Sequence, residues 1–173
     1  MTVPAFVRDV TLAVFACAWT LGFSAVALAH GDGGAAAPAE ATGSSGTYSA
    51  KSTGTRKLVA GPVWIKMLVE ESNLGSSEIE IGELNLPAGF TESGPHQHGS
   101  LEIFYVVSGV LGHEVNGVQH RLEPGEIGIV KPGDSVNHAV LSEDGVKTLV
   151  IWVPGGEAGR LIEHAGFQSA PLE

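Results

Sequence analysis

Two histidines one residue apart, His96 and His98, are followed four residues later by Glu102, and a further histidine, His138, lies about forty residues on. Side chains of an extended strand alternate faces, so His96, His98 and Glu102, separated by even numbers, are expected to project from the same side of one strand. Two imidazoles and a carboxylate are costly to bury without partners, and a divalent metal ion satisfies all three. Phe104 and Val106 continue the same face, which places the polar set at one end of an apolar interior. Tyr105, of opposite parity, is expected to point away. Glu92 reads either as an acid at the pocket or as a solvated loop carboxylate.

A second pair of histidines flanks the strongest turn signal of the chain. Asn116-Gly117 suits the two positive-φ positions of a type I′ hairpin, which makes His113 and His120 cross-strand neighbours. Two readings stand for them, solvated hairpin side chains or a second metal site. Other catalytic groupings are missing from the sequence: it has no G-x-S-x-G elbow, no phosphate-cradling glycine loop and no C-x-x-C pair.

The elements that must hold these residues are short strands with turn punctuation at roughly ten-residue intervals, the pattern of an all-β barrel or sandwich. Strands are expected at 63–69, at 78–86 with Ile79 and Ile81 alternating with Glu78, Glu80 and Glu83, at 102–107, 110–115, 118–122, 127–130, 139–141 and 146–153. A short helix over 157–164 has Glu157 near its start and His164 near its end, in keeping with the helix dipole.

Gly89, His96-Gln97-His98, Glu102 and Gly109 together resemble the first motif of the cupins, and Gly125 through Pro132-Gly133 to His138 is similar to the second. The second half departs from that pattern, because Lys131 stands where proline is usual and four residues rather than two separate Gly133 from His138. The resemblance implies a double-stranded β-helix (jelly-roll) barrel in which His96, His98, Glu102 and His138 are the ligands of one divalent transition metal, Fe, Mn, Ni, Zn or Cu. Glu102 is then also the candidate catalytic residue. The resemblance extends to the quercetin-dioxygenase-like group through Trp152-Val153-Pro154-Gly155-Gly156, so the expected function is a metal-dependent oxygenase acting on a small organic molecule. A non-catalytic binding or sensing protein and an isomerase or lyase are the alternatives, since this scaffold hosts all of these. Small cupins often pair through sheet edges, which adds a homodimer to the expectations.

The remaining organisation is that of one exported domain. Residues 1–29 resemble a secretory signal peptide, with Arg8 near the start, an uncharged run from Val10 to Ala29 and Ala27-Leu28-Ala29 as the cleavage site. The competing reading is a membrane anchor formed by residues 10–29 with the domain outside; a lipid-bearing Cys17 suits the surrounding residues less well. Cleavage would leave His30 as a terminal chelating pair for Cu(II), or simply as a disordered terminus. Residues 30–54 read as a flexible Gly/Ala/Ser-rich linker, 55–156 as the barrel and 157–173 as a short helix and tail. Cys17 is the single cysteine, so no disulfide is available to a mature domain. With 9 Lys+Arg against 19 Asp+Glu the net charge is −10, which argues against nucleic acid and anionic lipid as partners.

Overall fold

The computed structural model describes residues 47–172. The expected signal peptide or anchor, Cys17, His30 and linker residues 30–46 lie outside them. Among the described residues no helix is long and apolar enough to cross a membrane.

Among the described residues eleven strands form two antiparallel sheets. The first sheet has the order β11 (Gln168–Ala170), β1 (Lys57–Ala60), β2 (Val63–Val69), β3 (Glu80–Leu86), β10 (Val146–Val153), β5 (Leu101–Ser108), β8 (Ile127–Val130). The second has the order β4 (His96–Gln97), β9 (Ser135–Val140), β6 (Leu111–Val115), β7 (Val118–Leu122). The architecture is the expected all-β jelly roll. The helices α1 (Glu71–Leu74) and α2 (Glu157–His164) accompany it.

Period-two alternation explains the core. On β2, Val63, Ile65 and Met67 are buried; on β5, Glu102, Phe104 and Val106; on β10, Val146, Thr148, Val150 and Trp152. All of these but Glu102 and Thr148 come together in one apolar cluster with Leu84, Leu86, Leu111 and Leu122. The hairpin turns at Asn116 (φ 51) and Gly117 (φ 80), as its residue types require. Gly109, the glycine closing the first motif, has φ 77, and a Cβ there would lie 2.0 Å from the Gly145 carbonyl oxygen. Only a residue without a side chain fits that turn.

Two expectations need correction. His96, His98 and Glu102 do not share one strand. His96 pairs with Val136 in the second sheet, whereas Glu102 pairs with Val130 and Trp152 in the first, and the chain leaves β4 and enters β5 across His98-Gly99-Ser100. One regular strand cannot serve ladders in both sheets, so the chain bends between the two anchors. On β3 the inward face carries Glu80, Gly82, Leu84 and Leu86, with Ile81 only half-buried. Glu80 is on this face because its Oε2 accepts the Ala158 backbone N–H at 2.9 Å, at the start of α2. A local helix-capping demand overrides the apolar pattern there.

Candidate metal centre

The candidate side chains lie on elements of both sheets and line one cavity of about 570 Å³. Glu102 is 1% exposed, and its Oε1 accepts the indole N–H of Trp152 at 2.8 Å. This contact follows from register, since Trp152 and Glu102 are opposed residues on the inward faces of β10 and β5. The other carboxylate oxygen, Oε2, lies 3.1 Å from His98 Nε2, but the two are not aligned as a hydrogen bond. With His98 protonated the two atoms form an ion pair without an aligned hydrogen bond; with the ring neutral they face each other unsatisfied, an arrangement that a cation would relieve.

The two histidines of the first motif are oriented from behind. His96 Nδ1 lies 2.8 Å from the Gly94 carbonyl oxygen. A carbonyl only accepts, so Nδ1 carries the proton and Nε2 keeps the lone pair. His98 Nδ1 lies 3.1 Å from the Glu157 carboxylate, which imposes the same choice on the neutral ring. The rings of His96 and His98 meet edge to face with centroids 4.9 Å apart. Burial alone would lower the His98 pKa, but Glu102 and Glu157, on either side of the ring, outweigh it and raise it to about 9.

His138 stands differently. Its ring lies 5.8 Å from that of His96 and 4.6 Å from that of Phe104, while its Nε2 is 3.2 Å from Nδ1 of His113. His138 is opposed on β9 and β6 by His113, and the residue on β9 opposite His96 is Val136. The longer spacing after Gly133 places His138 one inward position further along β9. Burial lowers the pKa of both imidazoles, and for His138 the neighbouring His113, His96 and His98 lower it further. Both rings are therefore neutral.

The residues fit a divalent metal in donor type, burial and tautomer at His96, His98 and Glu102. Their donor atoms do not converge on one point: among the described residues no three His, Cys, Asp or Glu side chains are placed to hold one ion.

His113 and His120 are cross-strand neighbours as expected, but their environments diverge. His113 is 2% exposed and belongs to the interior cluster, with its Nε2 unpartnered; His120 is exposed on the outer strand β7. Tyr105 points outward at 41% exposure. Glu92 is exposed at the cavity rim, where its Oε2 accepts from Asn137 at 3.5 Å. Sequence reasoning missed Trp152, Glu157 and His113 as companions of the site. For Trp152 the available signal was an inward position in a strand pairing with that of Glu102. The remaining cavity lining is largely apolar and includes Ile65, Leu84, Leu86, Phe90, Leu161 and Phe167.

Residues 82–154 match the family described as the cupin domain. No curated protein matches the chain significantly. Among solved structures, a tryptophan-to-tyrosine variant of oxalate decarboxylase from Bacillus subtilis aligns with TM-score 0.55 and 15% identity, over 65% of this chain and 31% of that one. An RmlC-like cupin from Shewanella frigidimarina gives TM-score 0.52 and 21% identity, over 64% of this chain and 92% of that one. KdgF from a Halomonas species gives 0.51 and 19%, over 59% and 89%. At these identities the likeness is one of fold.

Proposed function

We propose that this chain, which carries a cupin domain at residues 82–154, is a metal-dependent enzyme of the oxygenase type acting on a small organic molecule. The observation behind the reading is the pair of buried atoms His98 Nε2 and Glu102 Oε2, 3.1 Å apart with no hydrogen bond to either, in the wall of a cavity of about 570 Å³. That volume is in the range of small-molecule sites. His96, His98, Glu102 and, after release from His113, His138 would hold the ion. A divalent first-row metal bound there supplies the Lewis acidity and redox capacity of oxygenase chemistry. The protein's own part is orientation and exclusion of water: the Gly94 carbonyl and Glu157 fix the two imidazoles, Trp152 fixes Glu102, and the apolar lining takes the body of the substrate.

A second reading, a binding protein without catalysis, has one observation in its favour. His138 Nε2 is engaged by His113, and the donors are not gathered round one point. Oxygen uptake by the protein loaded in turn with Fe(II), Mn(II), Ni(II), Zn(II) or Cu(II) separates the readings when tested with catechols, flavonols and small diketones. Turnover lost in Glu102→Gln supports the enzyme; tight binding without oxygen consumption or product supports the binder.

Two further proposals concern setting. Export rests on residues 1–29 and is tested by N-terminal sequencing of the mature protein, expected to begin at His30. Homodimerisation is favoured by exposed apolar side chains on β8, the last strand of the first sheet.

A further inference from the structure

The first turn of α2 is pinned to the beginning of β3. The Gly155 N–H donates to the Ser77 carbonyl oxygen at 3.0 Å, and the Ala158 N–H donates to Glu80 Oε2 at 2.9 Å. Ala158 is fully buried. Between these two anchors lies Glu157, whose side chain is driven into the interior. A carboxylate in the first turn of a helix ordinarily sits in solvent, where it complements the dipole at little cost. Glu157 is instead 2% exposed. Its Oε1 is 3.1 Å from His98 Nδ1 and 3.6 Å from Arg160 Nε, and its Oε2 has no hydrogen-bond partner. The Arg160 side chain is largely exposed, so the interior groups that offset burial of this charge are His98 and, more weakly, the buried Ser100 hydroxyl.

We propose that Glu157 is a positioning residue of the metal centre, holding His98 with Nδ1–H toward the carboxylate and the Nε2 lone pair toward Glu102. The inference rests on the metal-site reading above and adds to it a residue beyond the 82–154 cupin match. A neutral imidazole has two tautomers and two ring orientations, of which one combination presents Nε2 to a ligand next to Glu102 Oε2. A carboxylate at Nδ1 accepts only when that nitrogen is protonated, so it selects the combination and makes Nε2 a better donor. Because α2 begins directly after β10, the strand carrying Trp152, the same segment orients both Glu102 and His98.

The competing account is that Glu157 only fastens α2 to the barrel. Zn(II) affinity, measured by competition with a chromogenic chelator, is compared for the wild type, Glu157→Leu, Glu157→Gln and Glu80→Ala, together with ¹⁵N–¹H spectra of the imidazoles in the zinc-loaded proteins. A positioning role predicts a 10- to 100-fold loss in Glu157→Leu, recovery to within a few-fold in Glu157→Gln, whose amide oxygen still accepts from Nδ1–H, and a smaller loss in Glu80→Ala, which loosens the helix but keeps the Glu157 carboxylate. The His98 proton should stay on Nδ1 in the wild type and the Gln variant. Undiminished affinity in Glu157→Leu, or an equal loss in Glu157→Leu and Glu80→Ala, would overturn the inference while leaving the metal site standing. No zinc uptake by the wild type would overturn the site reading and this inference with it.

Discussion

His113 Nδ1 lies 3.2 Å from His138 Nε2, inside the barrel and directly across the β6–β9 ladder. One ring donates and the other accepts, so His138 cannot offer Nε2 to an ion while the contact stands. His113→Leu removes the competitor at similar volume. A hydrogen bond of this kind has a net worth of about 1 kcal/mol. Zinc affinity in His113→Leu should therefore tighten about fivefold, as read by chelator competition. Weaker binding in this variant would show instead that His113 is itself a donor to the ion.

The environment of His98 gives the metal-free protein a pH dependence of definite sign. Its folded pKa, about 9, lies above the ordinary imidazole value of 6.5. Folded protein then holds the proton more tightly than the unfolded chain, so this contribution is complete below pH 6.5 and disappears as pH rises through 9. The difference corresponds to roughly 3 kcal/mol, or on the order of 10 °C in melting temperature. His113 and His138 act in the opposite sense, because their lowered pKa values favour the folded state as pH rises toward 6.5. Metal-free protein should be most stable near neutrality, and His98→Gln should lose the decline between pH 6.5 and 9. A melting temperature that is flat over this window in the wild type would contradict the arrangement of two carboxylates around a charged ring.

Legibility of the fold followed local chemistry. The inward face of Glu102, Phe104 and Val106, the Asn116-Gly117 hairpin and helix α2 rest on period-two alternation, turn stereochemistry and end charges, all of which are written into neighbouring residues. The bend at His98-Gly99-Ser100 was not legible, because it follows from ladder partners in two different sheets. The burial of His113 depends on β9 covering β6, a pairing set by chain distant from the hairpin. Glu157 reads locally as an ordinary first-turn carboxylate, and only the anchoring of α2 to Ser77 and Glu80 turns it inward.

Trp152 bears on the site through Glu102. Trp152→Phe keeps most of the apolar volume but removes the indole N–H that satisfies Glu102 Oε1 at 2.8 Å. A buried carboxylate oxygen without its donor costs about 1–3 kcal/mol. Thermal unfolding of Trp152→Phe should show a loss of this size in the metal-free protein. Zinc loading should recover part of it by giving the carboxylate a new partner. Equal stability of the two proteins without metal would mean that the indole contact adds nothing.

The outer face beside β8 supplies the last test. Ile127 is 55% exposed, Ile129 58% and Tyr105 41%, and these side chains are grouped because β8 pairs with β5 in the register Ile127 to Tyr105 and Ile129 to Ile103. β8 ends its sheet, so an apolar face adjoins a terminal strand, a combination that proteins ordinarily cover. A two-fold pairing of copies through this face buries the same side chains on both partners. The double substitution Ile127→Lys with Ile129→Lys places like charges on both sides of that contact and leaves the inward-facing Gly128 and Val130 untouched. Exposed positions of this kind alter folding stability by about 0.5 kcal/mol or less, so the variant should remain folded. Light scattering should give twice the chain mass for the wild type and the single-chain mass for the variant, with closely similar circular dichroism. A wild type already at single-chain mass, or a variant that stays at twice the mass, removes this face from consideration as the dimer contact.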